Sequence, residues 1–428
     1  MKVALVNPRW AFDGSIYFGC RAPHLPLEFG YSKALLEQEG HSALLIDAQL
    51  HALELDDVRS ALRDFEPDMI VLTTAPSYLF WRCAPPELRI PRRTADAIRD
   101  YAPYLVVVGP HASTTPRATL RKLGADVAVL GECEEILVQL ASTPPERWRE
   151  LSSIAYREDD GRAVISGKPH AADMTRSPVL VWPDATIASH LHHHHRFDQE
   201  PDGPGAEVET SRGCPYHCTF CAKDNFRDRF RKRPLHVVLE EVDRLVAQGV
   251  RYIYFIDEIF VPDRPLLEAL IPRRIAFGVQ MRIDNWSKEM LALLGAAGCV
   301  SIEAGVESIS PQGRSLLAKR CKLSTPELTE LLLLAKRHVA FVQANLLDGK
   351  FDDPQELARW RDDLSRGGVW SNDPVPLFAY PGSPEYTLRW GPPDDVAWER
   401  AHADYLERFR AFSDIQEQAP ASLDELES

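Results

Sequence analysis

Residues 211–224 read SRGCPYHCTFCAKD and place Cys214, Cys218 and Cys221 within eight positions. Thiols this dense point to metal chemistry. His217 lies between them, so the four residues fall at i, i+3, i+4 and i+7. On a helix they would share one face and could close a tetrahedral zinc site of three cysteines and one histidine. Gly213 and Pro215 speak for a loop instead, and no second ligand pair of CxxC type occurs in the chain. The other reading is an iron–sulfur cubane, in which a short loop gives one thiolate to each of three irons. The fourth iron then stays open to an exogenous ligand.

A loop of this kind needs a rigid mount, and the flanking sequence supplies one. Strand-like runs recur at AEVET (206–210), YIYFID (252–257), AFGVQM (276–281), VSIEAG (300–305), AFVQANL (340–346) and VPLFAY (375–380). Helical stretches such as PLHVVLEEVDRLVAQG separate them. About six βα units predict an open, partial (βα)6 barrel over 207–384, short of the eight that close a full barrel. The cysteines follow its first strand.

The first 140 residues show the same alternation, with strands expected at 2–7, 42–47, 69–74, 104–109 and 126–131. Nearly continuous apolar strands predict a parallel sheet covered on both faces, in an α/β doubly wound, Rossmann-like (flavodoxin-like) domain that binds ligands at the carboxyl ends of its strands. Residues 141–206 are rich in Pro, Gly and polar residues. They read as a linker with one hairpin around IAYREDDGRAVI and an exposed histidine run, His192–His195. Residues 385–428 read as a helical carboxyl-terminal extension fraying into ASLDELES.

The totals narrow the function. There are 63 acidic against 49 basic residues, a net charge of −14, which disfavours nucleic acid as a partner. No apolar run reaches membrane-spanning length, and MKVALVNPRW reads as a strand, not a signal peptide. Eight cysteines without a secretory signal suggest a reducing, cytoplasmic setting.

The spacing CxxxCxxC, with Phe220 before the last cysteine and a partial barrel behind it, resembles the signature of the radical S-adenosylmethionine (radical SAM) superfamily. LVNP, PDMIVLTTAPS, VVVGPHAS, DVAVLGECEE and the late YPGSPEY extend the resemblance to the branch with a cobalamin (B12)-binding domain. The resemblance implies a 4Fe–4S cluster on Cys214, Cys218 and Cys221. S-adenosylmethionine would chelate the open iron and be cleaved to a 5′-deoxyadenosyl radical. Phe220, Asp257, Glu258, Arg282 and Glu303 would hold S-adenosylmethionine. Thr73, Thr74, Ser77, Gly109, His111, Gly131 and Glu132 would contact cobalamin. The Asp-x-His-x-x-Gly string that gives cobalt a histidine is absent, so the loop 77–83 is expected to cover the lower cobalt face.

The implied activity is methyl transfer to an unactivated carbon of a small molecule. Cyclisation or rearrangement is the alternative, and a non-catalytic cobalamin or zinc sensor a third reading. Trp286 and Trp370 are candidates for an apolar substrate wall, and Tyr380–Ser383 for the barrel mouth. Cys20, Cys83, Cys133, Cys299 and Cys321 read as structural. The run FRDRFRKRPL (226–235) reads as a solvated face. The sharper alternative is a dock, through Arg227, Arg229, Arg231, Lys232 and Arg233, for an acidic electron donor of flavodoxin or ferredoxin type.

Overall fold

A computed structural model describes residues 1–16, 23–76, 83–158, 160–191, 193, 202–223, 229–408 and 419–428. Cys20, Ser77, Arg227, His192, His194 and His195 lie outside these residues.

The amino-terminal strands are β1 (Lys2–Asn7), β2 (Ser42–Asp47), β3 (Met69–Thr73), β4 (Tyr104–Val108) and β5 (Val127–Val129). They pair in parallel, and β6 (Ile154–Arg157) and β7 (Ala163–Ser166) extend the sheet antiparallel, in the order β2-β1-β3-β4-β5-β6-β7. The hairpin expected around residues 154–165 therefore belongs to the first sheet. Its pairing partner, β5, is the short strand left at the parallel edge.

Alternation along the strands divides the core. Val3, Leu5, Val71 and Val106 face a cluster that runs without interruption into Ile253, Phe277 and Ile302 of the second half. Ala4, Val6, Ile70 and Val107 face the opposite layer, closed by helices Leu55–Phe65, Arg89–Ile98 and Pro116–Leu123. One face of the first sheet and the second half thus share a single dry core.

The second half begins with β8 (Gly205–Val208). An antiparallel pair, β9 (Ser211–Arg212) and β10 (Arg231–Lys232), brackets the cysteine loop. Then follow β11 (Tyr252–Phe255), β12 (Ala276–Met281), β13 (Cys299–Glu307) and β14 (Phe341–Asp348). All strands of the order β15 (Trp370–Ser371)-β14-β13-β12-β11-β8 are parallel, and among the described residues the two edges do not pair with each other, so the barrel is open. Of the last strand expected at 375–380 only β16 (Val375–Pro376) forms, and both it and the preceding β15 pair with β14. Asn372 bridges the break, accepting from Leu346 N–H at 2.7 Å and donating to the Leu346 carbonyl at 3.0 Å. A side-chain amide there stands in for a strand residue.

The extension returns to the first sheet. Helix Ala397–Arg408 lays Trp398 against the His111 ring, with centroids 4.4 Å apart. The terminal ASLDELES does not fray as expected. Ser422 and Glu425 form a capping box for helix Leu423–Glu427, and Leu423 and Leu426 pack with Trp398 and Ala84. No helix among the described residues is long and apolar enough to cross a membrane.

Candidate active site

The cysteine loop is fixed at several points. Gly213, at φ +77°, turns the chain out of β9, and its N–H donates to Glu258 Oε2 at 2.8 Å. Lys223 Nζ donates to the Cys214 carbonyl, and Cys221 N–H to the Cys218 carbonyl at 3.2 Å. Tyr216 donates its hydroxyl to Asn285 at 2.8 Å. The result is one cavity of about 230 Å³ onto which Cys214, Cys218 and Cys221 all open, with Phe220, Glu258 and Arg282 in its wall. His217 is exposed and is not in that wall. Among the described residues no three His, Cys, Asp or Glu side chains converge on a single ion. The three thiols thus share one cavity wall from which His217, the fourth ligand of the zinc reading, is absent.

The wall carries charges of both signs. Arg282 is buried and gives Nε and Nη2 to Asp284 at 3.1 and 2.7 Å, while Nη1 has no hydrogen-bond partner among the described residues. Its guanidinium lies 3.9 Å from the centre of the Tyr216 ring. Burial works against the Arg282 charge, yet Asp284 holds its pKa above the ordinary value. Buried Lys319 and partly buried Glu307 complete the wall as an ion pair at 2.6 Å. Sequence reading missed both. The signal available was the acid ending SIEAGVE, beyond the Glu303 chosen. Burial pushes the Cys218 thiol up, against the pull of Lys319. A guanidinium with one unpartnered nitrogen and an ammonium beside two carboxylates complement a ligand that is itself zwitterionic.

Other residues expected here do different work. Asp257 is buried below the loop, accepting from Thr210 N–H at 2.7 Å and Ser211 Oγ at 2.6 Å, and does not line the cavity. It braces the strand end that precedes the cysteines. Burial pushes its carboxyl up to about 6 despite these donors. Glu303 sits mid-strand in β13, in register with Gln280 and Gln343, also outside the cavity wall. Trp286 is buried and stacks with Phe260 at 6.2 Å, and Trp370 lies on edge strand β15. Tyr380 does reach the cavity, as does Cys83 of the first half.

The first-half residues named for cobalamin are mostly engaged by the chain itself. Thr73 Oγ1 donates to the Ala75 carbonyl at 2.7 Å. Gly109, at φ +117°, allows the chain to pass Thr74, whose Oγ1 is buried and has no partner among the described residues. That unmet hydroxyl at a strand end is the one feature of the set that fits an added ligand. His111 is fully buried under Trp398, and burial drops its pKa to about 3. Gly131 pairs with His170, whose carbonyl would lie 2.3 Å from an added Cβ. Glu132 accepts from Arg212 Nη1 at 3.1 Å, from Arg231 at 2.5 and 3.0 Å and from Ala172 N–H at 2.8 Å. It clamps the end of β5 to β9 and β10.

The basic stretch is likewise not a free face. Arg233 is buried against Glu241 at 2.8 Å, Arg231 holds Glu132, and Lys232 pairs with Asp263 at 2.7 Å. Only Arg229 is exposed among its described residues without an ion pair. The histidine run departs from its expected exposure where it is described: His193 is buried, edge-on to Tyr252 at 5.2 Å. Beside it, His190 and His24 flank the buried Glu207 of β8 at 3.5 and 2.7 Å, and they hold its carboxyl down at about 2 against the opposing effect of burial.

A doubly wound domain joined to an open parallel barrel, with three thiols at the end of the first barrel strand, defines a two-domain α/β metalloenzyme class. Residues 21–141 match the B12 binding domain family and residues 208–360 the radical SAM superfamily. The chain thus carries a B12-binding domain followed by a radical SAM domain. It is 24% identical over 332 residues to an uncharacterised methyltransferase of Pyrococcus horikoshii, covering 74% of this chain and 68% of the relative. It is 25% identical over 408 residues to the anaerobic magnesium-protoporphyrin IX monomethyl ester cyclase of Cereibacter sphaeroides, covering 88% and 63%. Among solved structures, the radical S-adenosylmethionine methyltransferase TsrM of Kitasatospora setae, with tryptophan and a SAM analogue bound, matches with a TM-score of 0.67 at 20% identity, over 90% of this chain and 75% of that one.

Proposed function

We propose that the protein is a cobalamin-dependent radical SAM C-methyltransferase acting on an unactivated carbon of a small molecule in a reducing, cytoplasmic setting. The observation that carries this reading is the cavity where Cys214, Cys218 and Cys221 meet Arg282, Lys319 and Glu258, with Cys83 of the B12-binding half in the same wall. The three thiols would hold a 4Fe–4S cluster. Arg282 Nη1 and Lys319 would take the carboxylate of S-adenosylmethionine, and Glu258 or Glu307 its ammonium. Phe220 and Tyr216 offer faces for the adenine. When bound, the cluster supplies the electron that cleaves S-adenosylmethionine, and cobalamin supplies the methyl group. The chain's share is to orient these reactants and keep water out, which the shared dry core and the interlocked halves support. Cobalamin rests here on the domain match and on Thr74, since His111, Gly131 and Glu132 are otherwise engaged.

The cyclase relative spans 88% of the chain, which supports ring closure or rearrangement as the second reading. Anaerobic reconstitution followed by turnover with methyl-labelled S-adenosylmethionine separates the possibilities. About four irons per chain, with label in the product, is expected. Product without label would favour cyclisation, and colourless protein holding one zinc would overturn the reading.

A further inference from the structure

The strands behind the cysteine cavity carry a row of side chains to which the proposed cluster and S-adenosylmethionine contacts give no role. Register sets Gln280 of β12, Glu303 of β13, Gln343 of β14 and Trp370 of β15 side by side. Residues level with one another on parallel strands share a face of the sheet. The preceding residues Val279, Ile302 and Val342 belong to the dry core, so the row faces the inside of the barrel. Gln280 and Gly305, both on this inner face, line the cavity where the cysteines meet. Asn345, two residues beyond Gln343 and on the same face, is level with Gly305 and stands one strand from that cavity wall.

Gln343 is buried, and its Nε2 donates to Asn345 Oδ1 at 2.5 Å. Its Oε1 has no hydrogen-bond partner among the described residues, and Asn345 makes no other side-chain hydrogen bond there. A buried amide oxygen without a donor is destabilising until a ligand supplies one. The pair thus presents one unmet acceptor, Gln343 Oε1, beside one unmet donor, Asn345 Nδ2. Turning both amides over exchanges these roles and leaves the same count. A primary carboxamide or a lactam carries C=O and N–H on one edge and answers both. A carboxylate or ester offers acceptors only, and a hydrocarbon would leave both groups unpaired. Trp370, half-buried at the end of the row, adds a flat face on which a planar group can lie. We propose that Gln343 and Asn345 are specificity-determining residues and that the substrate is a small molecule bearing a primary carboxamide or lactam. The inference rests on the function proposed above and adds the class of molecule that the barrel accepts.

The test uses the full chain, anaerobically reconstituted, and two neutral probes of similar shape. Phenylacetamide has the N–H and methyl phenylacetate lacks it. Titration by ligand-observed NMR should show phenylacetamide binding about tenfold more tightly. Gln343→Met, close in shape, and Asn345→Leu, at a half-buried position, should each erase that preference. Iron content and the Kd for S-adenosylmethionine should stay unchanged in both. The absence of a preference, or one that survives both substitutions, would overturn the inference. So would loss of S-adenosylmethionine binding in both variants, which would assign the amides to the cofactor. Protein without iron, or turnover without labelled product, would count against the proposed function alone, because the probe titration reads the amide pair without turnover.

Discussion

Arg282 has two of its donors pinned by Asp284, so only Nη1 is left to meet a ligand from a fixed direction. Lysine would keep the charge but lose that fork. Arg282→Lys should therefore raise the Kd for S-adenosylmethionine about tenfold, equivalent to about 1.4 kcal/mol, with iron content unchanged in equilibrium dialysis. Cys218→Ala should do the reverse of that split, abolishing iron retention on reconstitution, as read by iron assay. Asp257 gives a pH signature of a different kind. Its carboxyl stays protonated in the fold up to about pH 6, well above its ordinary value of 3.8. The folded state then holds a proton that the unfolded chain releases. Stability should fall as pH rises from about 4 to about 6 and level off above, by about 3 kcal/mol in all. Asp257→Asn should remove that slope in denaturant titrations compared across pH.

Among the elements, the seam between the halves is held by buried charge. Glu132→Ala would leave Arg212 and Arg231 short of a carboxylate in a dry setting, at a cost of about 3–5 kcal/mol in denaturant unfolding. Asn372→Ala, removing two bonds to Leu346, should cost about 1–3 kcal/mol in the same measurement. These two sites also mark where sequence reading stopped. Buried parallel strands are apolar along their whole length, so β1 to β5 and β11 to β14 were legible from composition alone. VPLFAY has the same composition, but whether it pairs depends on what precedes it, and Asn372 had taken the register position. Gly131 and Glu132 sit where a cofactor site was expected. Their roles are decided by His170, Arg212 and Arg231, from 39 to 99 residues away, and no local pattern reports that. The three cysteines were legible because their ligand geometry lies within one loop. Lys319 was not, because it meets Glu307 only after the barrel has formed.

For the whole molecule, the carboxyl-terminal extension acts as a strap. It leaves the barrel at Tyr380, crosses to the first half and fastens there through Trp398 on His111, Glu427 with Lys122 at 3.0 Å, and Ala421 N–H on the Gly14 carbonyl. Trp398→Ala should cost about 3–5 kcal/mol and speed proteolysis of the terminal segment. Its readout is limited digestion followed by mass of the fragments. The net charge of −14 fits a small-molecule substrate better than nucleic acid, and exposed cations without an ion pair, such as Arg320, are spread over the described surface.

Arg320 has a mechanical side. Ala318 and Arg320 both adopt left-handed backbone, at φ +51° and +53°, on either side of Lys319. Between them the chain turns so sharply that Lys319 lines the cavity while the next residue, Arg320, is exposed. A hand laid on Arg320 from outside is thus joined to the ammonium inside by one stiff peptide unit. Under the proposed function, a contact made at Arg320 would be felt one residue away at Lys319, in the cavity wall.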